Sequence, residues 1–427
     1  MRAQYAGYAA PALPLAALYF PVFVYIAPFY SEFRDVSLGA LGALFIIVRL
    51  FDAVSDPAMG WLSDRIETRW GRRKPFLALS VPLICVSVWM LMAPPSDAGF
   101  GHVALWLTLL TLSWTVALTP YFAWGAEMSG DYAQRATITT WREGASLVGT
   151  VLAVILYNVA AGAEEGLRNV ALMVVILFPI TTGLAMWLAP EPTNHSKTRL
   201  DVGKAIGAIL RDRLFLRLLA AYFVNGLANA LPAGLFLFFI GDLLGAPDAG
   251  WLLLVYFLCA IGGMPIWSWA ARRFSKHRTW GAAMIYASVL FAPAVLLGEG
   301  DVMWFTLISI TTGLALGADL ALPPAIQADV VDNDTATNGE QRTGVYFALW
   351  SVATKAALAL AGGSALIILD LSGFEAGAAN DETALFTLAA LYALAPAVLK
   401  LIAVAIMWNF PLDEAGQRAL RSRIEAG

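Results

Sequence analysis

Two aspartates lie inside an apolar stretch near the start of the chain, in the segment LFIIVRLFDAVSDPAMGWLSDRIETRWGRRKPF. An aspartate at the centre of a membrane helix costs about 2.5–3.5 kcal/mol, so each one needs either a function or a partner. Asp52 and Asp56 are one helical turn apart, and Arg49 and Ser55 share their helix face. An Arg49–Asp52 salt bridge that only holds helices together is one interpretation, but it leaves Asp56 unexplained.

Composition places the chain among polytopic membrane proteins. Of its 427 residues, 59% are hydrophobic and 14% are charged, whereas soluble domains carry roughly 25% charged residues. The mean hydropathy is +0.69. Cys85 and Cys259 both stand in apolar runs, and the three histidines lack the spacing of metal ligands. The sequence therefore predicts neither a disulfide framework nor a metal site.

Apolar windows of the length that crosses a bilayer, about 20 residues, recur along the chain and predict twelve transmembrane helices. The predicted spans are 7–31, 38–62, 75–95, 103–127, 139–161, 168–190, 217–241, 250–270, 279–298, 302–328, 343–369 and 384–410. We therefore expect an N-terminal six-helix bundle at 1–190 and a C-terminal one at 217–427. The cytoplasmic linker at 191–216 includes a weakly amphipathic helix that we expect on the inner membrane surface.

The placement of lysine and arginine predicts the orientation of the spans. Only Arg34 and Arg168 fall in one set of loops, whereas twenty-two of the 27 basic residues fall in the opposite loops, the linker and the termini. Because cytoplasmic loops are enriched in basic residues, we expect both termini in the cytoplasm and the chain in the cell (inner) membrane. The residues on the predicted cytoplasmic side are Arg2, Arg65, Arg69, Arg72, Arg73, Lys74, Arg135, Arg142, Lys197, Arg199, Lys204, Arg211, Arg213, Arg217, Arg272, Arg273, Lys276, Arg278, Arg342, Arg418, Arg421 and Arg423.

The regions that follow the fourth and tenth spans are similar to each other. Each has a proline, then Ala-Glu or Ala-Asp, an acidic loop, an arginine and an aromatic residue that starts the next span; the acids are Glu127 and Asp329. Parallel six-helix repeats are the architecture of major facilitator transporters. The chain has no phosphate loop and no nucleophile constellation, so ATP-driven transport and enzymatic catalysis have no support in the sequence.

Several short motifs along the chain point to one family. The loop after the second span reads GWLSDR at 60–65 and, five residues later, GRRKP at 71–75. Similar motifs are RLFDAVSDP at 49–57, the region of Asp131, Arg135 and Arg142, ADVVD at 328–332, and Lys355 in the eleventh span. Together they resemble the glycoside–pentoside–hexuronide:cation symporter family of the major facilitator superfamily.

The resemblance implies a site for a coupling cation formed by Asp52, Ser55 and Asp56, with Thr115 supplying a further oxygen. Hard cations prefer oxygen ligands. The coupling ion is H⁺ or Na⁺; the replacement of a family amide by Ser55 and of an acid by Leu118 leaves fewer oxygen ligands and favours H⁺. The resemblance implies no other cofactor.

The same resemblance implies a substrate site, from which this chain departs in part. Ala16 and Leu118 stand where sugar permeases of the family carry acids that hold sugar hydroxyls, and Phe122 replaces a tryptophan. Asp319 inside the tenth span either pairs with Lys355 or contacts the substrate. The predicted substrate-binding residues are Tyr25, Phe122, Arg142, Asp319, Trp350 and Lys355.

Charged residues near the cytoplasmic span ends are predicted to form gate salt bridges. The predicted gate residues are Arg49, Asp64, Arg65, Arg72, Arg73, Glu127 and Asp329. A desolvated pair of this kind can hold one state of a transporter closed on its inner side.

The leading hypothesis is a secondary active transporter that couples an H⁺ or Na⁺ gradient to the uptake of a sugar, glycoside or hexuronide by alternating access. Arg142 and Lys355 together suit an anionic ligand, and Asp319 partly offsets them. The second hypothesis is a cation-coupled transporter of an amphiphile such as a lysolipid, which the loss of the two acids favours. The expected partners are a small-molecule substrate, a coupling cation and membrane lipid, with no nucleic acid.

Overall fold

The structure is a computed structural model that describes residues 2–66, 68–128, 132–190, 207, 209–338 and 343–411. Within these ranges the regular structure is helical, and an isolated β-bridge joins Thr68 and Gly71. The predicted all-α fold is thus confirmed. Residues 201–206 and 208 of the inner-surface helix predicted in the linker lie outside the described residues, and from Arg213 the chain belongs to the helix of the seventh span.

The first half of the chain begins with a broken span. Pro11 and Tyr25 stand at its two breaks, which separate three helices. The five helices that follow are long and continuous, although α4, α5, α6 and α8 each contain a proline. The bounds are α1 Arg2–Ala9, α2 Ala12–Val24, α3 Ile26–Arg34, α4 Leu38–Arg65, α5 Lys74–Met92, α6 Phe100–Glu127, α7 Tyr132–Asn158 and α8 Ala163–Leu188.

In the second half, short irregular segments extend several spans. The seventh span ends in a π-helix at Phe239–Leu243, and the twelfth contains another at Ala390–Leu394. Short 3₁₀ segments lie at Pro247–Trp251 and Ala292–Leu296. The α-helices are α9 Arg213–Phe238, α10 Leu252–Phe274, α11 Lys276–Phe291, α12 Val302–Asn338, α13 Thr343–Leu371, α14 Glu382–Ala389 and α15 Ala395–Met407.

Eleven helical stretches in the described part of the chain are long and apolar enough to cross a membrane. The predicted span at 139–161 falls on α7, which is not among the eleven and carries Arg142 and Glu143. The count of twelve therefore stays a prediction. Large apolar side chains also lie on the surface, among them Trp187, Leu296 and Leu371, each more than 80% exposed. Such exposure fits contact with lipid, and the chain is an integral membrane protein.

The chain divides into two compact units, Met1–Thr198 with Glu375–Gly377, and Arg199–Phe374 with Ala378–Gly427. The predicted bounds of the two bundles stay predictions, because residues 191–206 lie outside the described ranges. In the second unit a core of buried apolar residues surrounds Trp280 and Tyr346, which α11 and α13 supply.

Helices within each unit approach closely where they carry glycine. A Cβ atom at Gly149 of α7 would lie 2.0 Å from the Leu13 carbonyl oxygen, and one at Gly263 of α10 would lie 2.1 Å from the Leu314 carbonyl oxygen. The obstacle is backbone in both cases, so it cannot rotate away. Small residues at such crossings allow membrane helices to pack by van der Waals contact.

Two adjacent glycines of α10 provide a test of this close packing. Gly263→Ala should lower the free energy of unfolding by about 1–3 kcal/mol, because the methyl group forces α10 and α12 apart. Gly262→Ala is the matched control, since a Cβ atom there has nothing within 4 Å. Thermal unfolding of the purified protein in detergent measures both. Equal unfolding temperatures for the two variants would contradict the packing argument.

Candidate functional site

The carboxylate of Asp52 is held between α4 and α6. The Thr115 hydroxyl donates a hydrogen bond to Asp52 Oδ1 at 2.6 Å, and the Asp52 side chain is 1% exposed. The guanidinium of Arg49, one turn earlier, lies 3.6 Å from Asp52 Oδ2 and 5.3 Å from the centre of the Tyr19 ring. The predicted Arg49–Asp52 ion pair is therefore present, and the gate role of Arg49 stays a prediction.

A second carboxylate–hydroxyl pair lies one turn further along both helices. Thr119 donates to Asp56 Oδ1 at 3.4 Å. Because Asp52 and Asp56 are four residues apart, as are Thr115 and Thr119, the two pairs form consecutive rungs between α4 and α6. Sequence reasoning found Thr115 and missed Thr119, although the matched spacing of four was the available signal.

Ser55 completes the oxygen-rich face of α4. Its hydroxyl donates to the backbone carbonyl of Asp52 at 3.2 Å, so its remaining lone pairs are available to a ligand. Two carboxylates and one guanidinium, from Asp52, Asp56 and Arg49, give this group of three a formal charge of −1. The arrangement offers oxygen ligands and a negative charge, which is what a small monovalent cation or a proton requires.

Arg142 of α7 lies among aromatic residues of the first unit. Its guanidinium is 4.3 Å from the centre of the Phe122 ring, and it donates to Glu143 Oε1 at 2.7 Å. The structure therefore brings together two of the predicted substrate residues, Arg142 and Phe122. The Arg142 side chain is 17% exposed, and Phe122 is 46% exposed.

Two predicted substrate aromatics are covered by other rings. Tyr25, at the break between α2 and α3, is buried and stacks on Tyr157 with 3.7 Å between ring centres. Trp350 of α13 is 8% exposed and stacks on Tyr222, also with 3.7 Å between ring centres. With Tyr25 only 1% exposed and Trp350 only 8% exposed, neither ring presents an open face to a sugar in this structure. Lys355 lies on α13 and is partly buried.

Asp319 of α12 is the centre of a buried polar network in the second unit. Its carboxylate accepts hydrogen bonds from Trp280 Nε1 at 2.7 Å, from Lys400 Nζ at 2.8 Å and from Asn229 Nδ2 at 3.0 Å. Lys400 also donates to Asn225 Oδ1 at 2.9 Å. The hypothesis that Asp319 pairs with Lys355 is therefore wrong: its cation is Lys400 of α15.

Sequence reasoning missed Lys400, Trp280, Asn225 and Asn229. A lone lysine within an apolar span was a usable signal, because an ionisable residue inside a membrane helix needs a partner. The Lys400 and Asp319 side chains are 11% and 8% exposed, so each would be costly alone. Four helices, α9, α11, α12 and α15, meet at this network.

Two salt bridges occupy corresponding positions in the two halves of the chain. In the first unit, Arg73 Nε donates to Glu127 at 3.2 Å, and Arg73 also donates to the Ser63 hydroxyl at 2.7 Å. In the second unit, Lys276 Nζ donates to both oxygens of Asp329, at 2.7 and 2.6 Å. Each joins the basic loop after one span to the end of another, as the repeat in the sequence predicts.

The remaining predicted gate residues are Arg65, Arg72 and Asp64. Arg65 is exposed, and its guanidinium lies 3.9 Å from the centre of the Trp61 ring. Arg72 is partly buried. The side chain of Asp64 lies outside the described residues, so its predicted ion pair stays a prediction.

Comparison with known proteins agrees with this arrangement. Residues 7–414 match a family model described as MFS/sugar transport protein. The chain is 25% identical over 403 residues to the inner membrane symporter YicJ of Escherichia coli (strain K12), an alignment that covers 90% of this chain and 86% of that protein. It is 22% identical over 404 residues to the isoprimeverose transporter of Lactiplantibacillus pentosus, covering 91% and 84%.

A third relative is named for a different cargo, lysophosphatidylcholine. The chain is 23% identical over 441 residues to the human (Homo sapiens) sodium-dependent lysophosphatidylcholine symporter 1, covering 92% of this chain and 80% of that protein. Among solved structures, the nucleoside transporter NupG superposes with a TM-score of 0.70 at 12% identity, covering 97% of this chain and all of that one. At this identity the structural likeness establishes the fold alone.

The Arg73–Glu127 pair generates a prediction about stability. Glu127→Gln should lower the free energy of unfolding by about 3 kcal/mol, because Arg73 is only 4% exposed and loses this carboxylate. The control is Glu164→Gln, whose side chain is 65% exposed in its pair with Arg34 and whose loss should cost less than about 1 kcal/mol. Thermal unfolding in detergent measures both. A cost for Glu127→Gln no larger than the control's would show that this bridge is a solvated surface pair.

Proposed function

The chain belongs to the MFS/sugar transport protein family, and on that premise we propose that it is a secondary transporter that couples the movement of a cation to the uptake of a sugar or glycoside. The observation that carries the proposal is the pair of carboxylate–hydroxyl rungs between α4 and α6. Two acids that reach the membrane interior require a function, and a coupling ion supplies it. Relatives named as a symporter and as an isoprimeverose transporter support the choice of cargo.

In this proposal the coupling cation binds at Asp52 and Asp56, with Ser55, Thr115 and Thr119 as neutral oxygen ligands. Binding of one positive charge would neutralise the formal charge of −1 on the three ionised groups of the site. A neutral site is cheaper to enclose in a low-dielectric interior, so the bound cation favours closure of the transporter around its cargo. The coupling is reciprocal: the cargo must raise the affinity for the cation by the same factor.

The identity of the ion is H⁺ or Na⁺. The sequence favoured H⁺ because Ser55 and Leu118 reduce the number of oxygen ligands, but Thr119 returns one of them. We keep H⁺ as the leading choice.

Substrate contacts are proposed at Arg142 and Phe122 in the first unit and at the Asp319 network in the second. An arginine beside an aromatic ring can bind a sugar through hydrogen bonds and ring stacking. Tyr25, Trp350 and Lys355 remain substrate residues in the proposal, in which the two buried rings reach the cargo only in a state that uncovers them. Because Arg142 and Lys355 are both positively charged, we propose an anionic sugar before a neutral one.

The second candidate cargo is a lysolipid. The relatives named lysophosphatidylcholine symporters favour it, as do Ala16 and Leu118, which are apolar and partly buried where sugar permeases of the family carry acids. An apolar wall would suit an acyl chain. For either cargo we propose that both termini face the cytoplasm and that the protein lies in the inner membrane.

Uptake into proteoliposomes tests the proposed function directly. The cargo panel contains isoprimeverose, a hexuronide and lysophosphatidylcholine, each assayed with an imposed proton gradient, with a sodium gradient and with neither. We expect accumulation of a sugar driven by one gradient. Accumulation of lysophosphatidylcholine alone would select the second candidate, and uptake that ignores both gradients would overturn cation coupling.

Neutralising the cation site should uncouple transport. In Asp56→Asn we expect loss of accumulation against a gradient, because the carboxylate that takes up the cation is gone while the Arg49–Asp52 pair is kept. Exchange of cargo across the membrane without a gradient should continue. The matched control is Ser113→Ala in α6, whose hydroxyl donates to its own helix at the Leu109 carbonyl. Full accumulation in Asp56→Asn would place the ion site elsewhere.

The buried ion pair of Asp319 and Lys400 in the second unit gives a further prediction. Asp319→Asn alone should lower the free energy of unfolding by about 3–5 kcal/mol, because it leaves the buried ammonium of Lys400 without its counterion. The double variant Asp319→Asn with Lys400→Met removes both charges and should recover most of that loss. Thermal unfolding measures the stability of both variants.

The same double variant separates a structural role from a substrate role. If Asp319 contacts the cargo, the double variant folds but its uptake falls at least about tenfold, the value of one charged hydrogen bond. Uptake at the parent level in the stable double variant would show that Asp319 and Lys400 only join helices.

A further inference from the structure

An exposed patch of arginine and tryptophan surrounds the end of α4 and the turn that follows it. The membrane-crossing stretch of α4 ends at Ser63, so Arg65 lies about 3 Å beyond it along the helix axis. The Arg65 guanidinium is 3.9 Å from the centre of the Trp61 ring, and both residues are exposed. Just beyond its hydrocarbon core a membrane presents phosphate headgroups, and tryptophan is enriched at that depth.

The turn after α4 holds a second pair of the same kind. Thr68 and Gly71 exchange backbone hydrogen bonds at 3.2 and 2.9 Å, and the Thr68 hydroxyl accepts one from the Trp70 backbone N–H at 3.1 Å. Gly71 has a φ of +93°, a left-handed conformation that favours glycine. The turn therefore positions Arg69 and Trp70, whose guanidinium and ring centre lie 5.0 Å apart.

The two arginines carry charge that the protein does not balance locally. Neither Arg65 nor Arg69 forms an ion pair with a carboxylate in the described part of the chain. By contrast, Arg73 in the same loop pairs with Glu127. Residues 60–76 contain five cations and two acids, a formal charge of +3. A phosphate would balance this charge, and a planar guanidinium binds phosphate through two parallel hydrogen bonds.

Apolar side chains lie beside both arginines and are exposed as well. Trp61 is 56% exposed and Trp70 is 52% exposed, and the exposed residues next to Arg65 include Leu62 and Ile66. A free inorganic anion gains nothing from contact with indole rings and aliphatic side chains. A phospholipid does, because its phosphate can meet the guanidinium groups while its glycerol and first acyl carbons meet the apolar side chains.

The corresponding region of the second unit is built differently. Arg272 and Arg273 near the end of α10 are exposed, and Trp269 on the same helix is 59% exposed. Within the described residues of that unit, no arginine lies over the Trp269 ring. The second unit therefore has exposed arginines without the arginine–tryptophan pairs, and it supplies an internal control.

We propose that the end of α4 and the turn at 68–71 form a binding site for the phosphate headgroup of one anionic phospholipid. Arg65 and Arg69 bind the phosphate oxygens, and Trp61 and Trp70 lie against the apolar part of the same lipid. The site does not depend on the proposed transport reaction. Only the leaflet, which would be the inner one, follows from the proposed orientation of the chain.

A lipid at this site would also stabilise the loop that carries Arg73. Residues 66–73 connect α4 to α5, and Arg73 pairs with Glu127 at the end of α6. A ligand that binds the folded state and not the unfolded one raises the unfolding temperature. Thermal unfolding can therefore detect binding of the lipid.

Thermal unfolding in a neutral detergent, with dioleoylphosphatidylglycerol or dioleoylphosphatidylcholine added at equal concentration, tests the site. In the parent protein we expect the anionic lipid to raise the unfolding temperature by about 4 °C more than the zwitterionic lipid does. In the double variant Arg65→Gln with Arg69→Gln this difference should fall below about 1 °C, because both guanidinium groups are gone. Equal effects of the two lipids on the parent would overturn the proposal, as would an unchanged difference in the double variant.

The matched control is Arg272→Gln with Arg273→Gln, which removes the same charge from exposed positions of the second unit. It should keep the parent difference between the two lipids. A loss as large as in Arg65→Gln with Arg69→Gln would show that only net charge matters and would overturn the site. Glycerol phosphate, which has no acyl chains, should give no rise in the parent. A rise as large as that with phosphatidylglycerol would overturn the choice of a lipid as the ligand.

Native mass spectrometry counts bound lipid independently of unfolding. At the same concentration of phosphatidylglycerol, the parent should retain one lipid more than Arg65→Gln with Arg69→Gln does. Equal numbers of bound lipid in the two proteins would overturn the site, whatever the unfolding temperatures are. Since neither measurement uses a cargo or a gradient, failure of the lipid site and failure of the proposed transport give different results.

Discussion

An ionised side chain inside a membrane protein must be neutralised or hydrogen-bonded, and the polar architecture of this protein follows from that requirement. Asp52 lies against Arg49 and Thr115. Asp319 accepts hydrogen bonds from Lys400 and from two other donors. Each set draws groups from different helices, so the requirement for partners also fixes which helices meet. The helices between these points are apolar and are free to pack by shape.

The two units meet the requirement in different ways. In the second unit Asp319 has one full cation and two further donors, so the network around it is neutral and satisfied. In the first unit Asp52 lies against the guanidinium of Arg49 and the hydroxyl of Thr115, and Asp56 accepts a hydrogen bond from Thr119. A network that ties four helices together favours a rigid support, whereas two carboxylates one turn apart with hydroxyl oxygens beside them offer several oxygen ligands to one small ion. This contrast is the physical reason for assigning the coupling ion to the first unit.

The salt bridges Arg73–Glu127 and Lys276–Asp329 show how an internal repeat is used. Arg73 follows the second span and Glu127 ends the fourth, whereas Lys276 follows the eighth span and Asp329 lies near the end of the tenth. The same contact is therefore made once in each half. The residues differ, since arginine in one half corresponds to lysine in the other. Because the acid and the base have kept their positions while the surrounding sequence has changed, the contact itself is the repeated feature.

The sequence alone determined the class of fold, the positions of most spans and the acidic face of α4, because length, hydropathy and spacing along one helix are local properties. It also predicted Glu127 and Asp329 as partners of loop cations, since the repeat placed both next to basic loops. It could not find Thr119 or Lys400 as partners of Asp56 and Asp319, or show that Asp319 does not pair with Lys355. Those contacts join residues 63 and 81 positions apart.

Tertiary structure also decided how the first span is broken. Pro11 indicates an interruption of the helix from the sequence alone. The hydroxyl that donates to the Tyr8 carbonyl at this interruption belongs to Tyr121, which is 113 residues away from Tyr8. Which side chains meet across helices depends on the rotation and crossing of each helix, and these are set by packing over the whole unit rather than by any local pattern. For that reason the sequence identified the groups that needed partners, and only the folded structure determined which residues those partners are.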